Sequence, residues 1–180
     1  MHPPVKLLER RYVFHGRVFQ VRQDRLQLPN GREAVLDIVE HHGAVVMLPV
    51  DAENRVWFVR QYRHAVGETL LELPAGTLEP GESPQACARR ELQEEIGMRA
   101  STWVPLGRFY SAPGYSSEIM VAFLARDLSP ASLPRDEDEI MDVAVYPWPQ
   151  VWEMVRQGIV RDAKTLATLF LALPHLPPLE

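Results

Sequence analysis

The sequence predicts an α/β (α+β) fold, a mixed sheet with helices packed against it, and three observations carry that expectation. Strand-like runs of aromatic and aliphatic residues recur from Arg11 to Leu73. One segment between Ser83 and Gly97 has the composition and both end signals of a helix. Strand-like runs then return before two helical stretches close the chain. With 46% hydrophobic and 24% charged residues, the 180 positions suffice for a core of ordinary globular composition.

The elements follow in chain order. From Arg11 to Glu40, residues such as Tyr12, Phe14, Val18 and Val21 alternate with polar ones until Pro29-Asn30-Gly31. Asn-Gly supplies the positive-φ pair that a tight hairpin needs, so antiparallel strands are expected over 17–28 and 33–41. The apolar run Ala44 to Val50, polar Asp51 to Asn54 and apolar Val56 to Val59 predict a second hairpin, with one strand buried on both faces. Leu70 to Leu73 reads as a short strand stopped by Pro74, and the glycines and proline of 76–83 mark a loop. Ser83-Pro84 then reads as N-cap and first helical residue, and Gly97 ends the helix. Strands are expected over 102–110, 118–126 and 140–147, the last preceded by the acidic run Asp136 to Glu139. Helices over 149–157 and 162–172 and an irregular tail from Pro174 complete the expectation.

Charge and cysteine content exclude several classes. A net charge of −5 with a pI near 5.7 argues against a protein that neutralises many phosphates of long nucleic acid. No run of apolar residues is long enough to span a membrane, and the first ten positions carry no apolar core of a leader. A lone Cys87 forms no internal disulfide, so the expected compartment is the cytoplasm. Of 19 basic residues only Lys6 and Lys164 are lysine.

On the predicted helix, residues four apart differ by about 40° and residues three apart by about 60°, so Glu91, Glu94 and Glu95 share one side. Like charges so placed destabilise a helix by roughly 0.2–0.5 kcal/mol per pair, a penalty that a hard divalent cation would reverse. A solvated acidic face paired with Arg89 and Arg90 satisfies the same spacing. The whole string is more specific. Gly76, Glu82, Arg90, Glu91, Leu92, Glu94, Glu95, Gly97 and Met98 fill every fixed position of Gly-x5-Glu-x7-Arg-Glu-U-x-Glu-Glu-x-Gly-U, where U is a bulky aliphatic. In this it is identified as a member of the Nudix hydrolases. The resemblance implies an α/β/α sandwich with a mixed central sheet and an N-terminal antiparallel hairpin. It further implies Mg²⁺ as cofactor, with Mn²⁺ or Zn²⁺ as alternatives, and cleavage of a nucleoside diphosphate linked to another moiety. Carried over residue by residue, Glu91 and Glu95 are expected principal metal ligands, Glu94 a further one and the carbonyl of Ala75 a backbone ligand. Gly76, Glu82, Arg90 and Gly97 would shape the box, with Arg90 pairing to Glu82 rather than touching substrate.

Three further segments resemble the ADP-ribose pyrophosphatase branch: Val59-Arg60-Gln61-Tyr62-Arg63, Ser111 to Glu118 with its Pro113-Gly114 pair, and Asp136 to Glu139. Ala112 stands where the branch usually carries Ser. The resemblance implies hydrolysis of ADP-ribose to AMP and ribose 5-phosphate, with FAD, NADH or nucleotide sugars as alternative substrates. A binding module that senses ADP-ribose without cleaving it usually loses box glutamates, and all are kept here. Arg60 and Arg63 are candidate phosphate contacts, because a planar fork of donors matches phosphate oxygens; a surface arginine beside a strand is the competing reading. Pro113, Gly114 and Glu118 are candidate substrate contacts, Glu118 through a ribose hydroxyl. His64 reads as a surface residue, and Cys87 as a packing residue. The branch takes its general base from a glutamate on a late loop, which selects Glu137 first and Glu139 second; a solvated loop tip is the competing reading of that cluster. The branch also implies a homodimer in which strands of residues 1–42 exchange, with the hydrolase domain over 43–180.

Overall fold

A computed structural model of the protein describes residues 5–134 and 141–178, so Glu137 and Glu139 lie outside the described residues. Three strands open it: β1 (Lys6–His15), β2 (Phe19–Gln27) and β3 (Glu33–His41), an antiparallel sheet in the order β1-β2-β3. The β2–β3 hairpin falls where the Asn-Gly signal predicts it. Gly31 adopts φ 81°, and the Asn30 side chain accepts the Arg32 N–H at 3.1 Å. The hairpin expectation is one strand short: β1 adds to the other edge of β2, with register shifts at Leu7/Glu9 and Tyr12/Phe14. Residues through Gly43 form a compact unit together with Tyr110–Ile119. That segment joins β3 through Val39 N–H to the Tyr115 carbonyl at 2.8 Å and Ser117 N–H to the Val39 carbonyl at 3.0 Å.

The second unit holds the remaining chain and two sheets. Strand β4 (Ala44–Pro49) is buried at all six positions, as expected of a strand covered on both faces. It does not pair with β5 (Arg55–Arg63) as a hairpin. A single bridge, Val50 to Val56, joins the two segments, while β4 runs parallel to β9 (Ile119–Pro130). A strand buried on both faces belongs at the centre of a sheet, where distant chain supplies its neighbours. One sheet runs in the order β7-β4-β9-β8, with β7 (Ala75–Thr77) and β8 (Met98–Tyr110) at its edges. The short β7 lies within the segment expected to be loop. The other sheet is β10-β5-β6, built from β6 (Glu68–Glu72) and β10 (Met141–Pro147).

Helix α1 (Pro84–Ile96) covers one side of this unit, and α2 (Trp148–Arg156) and α3 (Ala163–Ala172) cover the other. Strand alternation sorts the core accordingly. Val45, Met47, Val121 and Phe123 pack with Cys87, Ala88 and Leu92 of α1. Val46, Leu48, Ala122 and Leu124 pack with Trp148 and Val151 of α2 and Leu169 of α3. The result is the α/β/α sandwich that the family resemblance implies. Among the described residues no helix is long and apolar enough to cross a membrane.

Candidate active site

Local chemistry places α1 firmly. Ser83 Oγ accepts the Ala86 N–H at 3.2 Å, Pro84 occupies the first turn, and Gly97 closes the helix in the left-handed region at φ 67°. The buried face of α1 comprises Cys87, Ala88, Glu91, Leu92, Glu95 and Ile96, two rows of side chains at four-residue spacing. Two carboxylates therefore sit on an otherwise apolar face, with Glu91 9% and Glu95 2% exposed. Burying them is costly unless they are paired.

Each has partners. Glu95 Oε2 accepts the backbone N–H of Ala75 at 2.9 Å, tying α1 to β7. Arg90 Nη1 donates to Glu91 Oε1 at 2.8 Å and to Glu94 Oε2 at 2.9 Å, while its Nε and Nη2 hold Glu82, both at 3.1 Å. The Arg90–Glu82 pairing expected from the sequence is thus present, and the same guanidinium also neutralises two box carboxylates. Glu82 in turn accepts the Glu79 N–H at 3.1 Å and fixes the loop before the helix. The hydrogen bond from Arg90 holds the Glu82 carboxyl below its ordinary value.

Gly76 is required by a close approach. A Cβ there would fall 1.9 Å from the Glu91 carboxyl carbon, so any side chain would push Glu91 aside. Cys87 is fully buried beneath the loop, its Sγ 3.5 Å from the Thr77 carbonyl. Burial and the nearby Glu91 and Glu82 raise its thiol far above the ordinary value, which keeps it protonated and inert.

The two candidate phosphate arginines part company. Three residues apart on β5, they project to opposite faces. Arg60 donates to the Tyr146 hydroxyl and lies over that ring, 5.9 Å from its centre. Arg63 donates from Nε and Nη2 to both oxygens of Glu72, at 2.8 and 2.7 Å, and is further acted on by the charges of Asp162 and Glu95. Arg63 therefore shares its electrostatic surroundings with Glu95 of the box. His64 lies beyond the end of β5, its ring 6.2 Å from that of Tyr62.

Pro113, Gly114 and Glu118 belong to the first unit. Glu118 Oε1 lies 3.7 Å from His41 Nδ1, and that nitrogen accepts the Gly43 N–H at 3.0 Å, which places the imidazole proton of the neutral ring on Nε2. Sequence reasoning missed Glu72, the anchor of Arg63. The signal was a lone charge inside the apolar run Leu70-Leu71-Glu72-Leu73, where a buried carboxylate demands a cation.

The carboxylates of Glu91, Glu94 and Glu95 and the backbone carbonyls of β7 are hard oxygen donors of the kind that suits a divalent cation. Among the described residues no three acidic, His or Cys side chains converge on one point. Glu91 and Glu94 turn toward Arg90, and Glu95 turns toward Ala75.

Comparison with known proteins agrees with this geometry. The NUDIX domain matches residues 40–169, and a nucleoside diphosphate sugar hydrolase N-terminal domain matches residues 5–35. The chain is 38% identical over 162 residues to a protein of Bacillus subtilis (strain 168) called ADP-ribose pyrophosphatase, covering 89% of this chain and 88% of that one. It is 34% identical over 171 residues to a methanol dehydrogenase activator of Bacillus methanolicus, covering 93% and 92%. A solved structure titled ADP compounds hydrolase superposes with a TM-score of 0.85 at 28% identity, covering 96% of this chain and 94% of the other. With the complete box on a capped helix of an α/β/α sandwich and a matching domain over most of its length, the chain belongs to the Nudix hydrolase family, whose members generally use divalent metal ions.

Proposed function

We propose that this Nudix hydrolase cleaves the pyrophosphate of ADP-ribose to AMP and ribose 5-phosphate, with Mg²⁺ as its cofactor. The observation that carries the reading is the box carboxylate cluster with an anchored arginine beside it. Two of Arg63's five N–H donors go to Glu72, and its Nη1 edge has no acceptor among the described residues. That leaves a fixed cationic fork for a diphosphate. The substrate assignment leans on the name of the Bacillus subtilis relative and of the superposed structure.

Glu91, Glu94, Glu95 and the Ala75 carbonyl would hold Mg²⁺, which when bound polarises phosphoryl oxygens and makes water a nucleophile at neutral pH. Arg63 binds the phosphoryl oxygens and offsets the charge that grows on them. Glu137 accepts the proton of the attacking water, with Glu139 as the second candidate. Support for a base in that segment comes from its flanks. Ala131 and Leu133 donate to the carbonyls of Gly97 and Gln93 at 2.9 and 3.3 Å, at the end of α1, and Met141 lies opposite Gln61 of β5. Pro113, Gly114 and Glu118 are proposed substrate contacts, Glu118 through a ribose hydroxyl. Arg60 is withdrawn to a packing role against Tyr146.

The proposed assembly is a homodimer built through residues 1–42, and the proposed compartment is the cytoplasm, consistent with a single buried thiol. A second reading, nucleotide-sugar pyrophosphatase, is favoured by the match over residues 5–35. One assay separates them. The protein is incubated with Mg²⁺ and ADP-ribose, FAD, NADH or nucleotide sugars, and the products are resolved. AMP and ribose 5-phosphate as the fastest products are expected; faster release of a sugar phosphate from a nucleotide sugar selects the second reading. Binding without cleavage under every divalent metal would overturn both.

A further inference from the structure

Behind Arg63 lies a polar corner that the proposed chemistry does not use. Glu72, 1% exposed, takes Arg63 on both oxygens, and its Oε2 also accepts a hydrogen bond from Lys164 Nζ of α3. Lys164 Nζ lies 3.1 Å from Asp162 Oδ2. That oxygen caps α3 by accepting the Thr165 N–H at 2.9 Å and takes the Thr165 hydroxyl at 2.6 Å. Thr165 Oγ1 accepts the Leu73 N–H at 2.9 Å. Leu73 is two residues before Ala75, whose N–H holds Glu95.

Four charges therefore meet in one corner: Arg63 and Lys164 against Glu72 and Asp162. They balance. Without Lys164 the corner would carry a net negative charge, poorly screened because Glu72 is buried, beside the guanidinium meant for a diphosphate. A single carboxylate bound bidentately by Arg63 alone would cancel that cation almost wholly. Sharing the carboxylate with a second cation leaves Arg63 oriented by Glu72 without being neutralised by it.

We propose that Lys164 is a positioning residue for phosphate recognition, acting through Glu72 to keep the charge of Arg63 available to the substrate. The proposal rests on Arg63 being a phosphate contact. Burial alone would raise the Glu72 carboxyl; the hydrogen bond from Arg63 and the charge of Lys164 overcome it and hold the group ionised, as the corner requires.

Steady-state kinetics on the full-length protein with Mg²⁺ and ADP-ribose test this. Lys164→Met removes the charge and keeps the bulk; KM should rise about tenfold, with kcat within about threefold of the parent. Lys164→Arg should restore KM. In the Arg63→Ala background Lys164→Met should add nothing to KM, because the charge it protects is gone. Thr165→Val, which breaks the Leu73 contact without changing charge, should lower Tm and leave KM in place. Equal KM effects for Thr165→Val and Lys164→Met would show a merely structural corner and overturn the proposal. A raised KM in Arg63→Ala with an unchanged KM in Lys164→Met overturns it alone. An unchanged KM in Arg63→Ala overturns the phosphate reading beneath it.

Discussion

Glu95 is asked to do two things: its carboxylate accepts the Ala75 N–H, and it is the most buried of the box carboxylates proposed to hold the cation. Glutamine keeps an oxygen for Ala75 and loses the charge. Glu95→Gln should therefore lower kcat by about 100-fold or more while Tm holds or rises, because like-charge repulsion on α1 is relieved. Full turnover at limiting Mg²⁺ would remove Glu95 from the ligand set. The proton acceptor is a separate matter, since a carboxylate committed to a cation is a poor base. Glu137→Gln should lower kcat by roughly 10²–10⁴ with KM nearly unchanged, the usual span for loss of a general base. If both Glu137→Gln and Glu139→Gln keep kcat within about threefold, the base lies elsewhere. At this scale the sequence was informative about the box because its residues are close in the chain. Gly76, Glu82, Arg90 and Glu91 meet in the structure as their spacing implies. Arg60 and Arg63 were not separable by composition, and only the strand's two-residue period sends them to opposite faces.

Among the elements, β6 and α3 are joined through Glu72, and this junction has a pH signature. The carboxyl ordinarily titrates near 4.5 and is held lower in the folded protein. The folded state therefore binds its proton less readily than the unfolded chain. Its contribution to stability is complete above 4.5 and is lost as pH falls through the lower folded value. Glu72→Gln should be less stable than the parent at neutral pH, and its Tm should fall less steeply as acid is added below that point. Parallel Tm curves for the two proteins would show that the ion pair contributes nothing to stability. Helix α1 was readable from local signals, Ser83-Pro84 at one end and Gly97 at the other. Strand partners were not readable in the same way. Ala44 to Val59 has the look of a hairpin, yet β4 takes the distant β9 as its parallel neighbour, with Ala44 opposite Met120. Pairing across such distance depends on which faces are covered, a property of the whole chain rather than of the segment. The three residues of β7 are too few to show any period at all.

For the whole molecule, the two units differ in how they could be stable. Every buried apolar residue among the described residues belongs to the second unit, whereas the first buries a carboxylate, Asp24. That carboxylate is held by Arg10 at 2.8 and 2.9 Å, so an ion pair stands where a core would be. Meanwhile Phe14 and Val35 of the same sheet are 52% and 59% exposed. A three-stranded sheet needs a covered apolar face to hold together in water, and exposed apolar residues grouped on one sheet mark an interaction surface. A second copy of the chain would satisfy that need, and a symmetric pair is the commonest assembly. Sedimentation of the full-length protein should give about twice the 20.5 kDa chain mass. Val35 lies opposite Arg25 in the β2–β3 register, so a glutamate there meets a cation within its own sheet but would be buried unpaired in an interface. Val35→Glu should shift the protein toward monomer at equal concentration, with its circular dichroism unchanged. If the exchanged strands complete the site, ADP-ribose turnover should fall with the dimer fraction and recover as protein concentration rises. A parent protein that sediments as a monomer at tens of micromolar would rule out the dimer, and the exposed face of β1–β3 would then require a different cover.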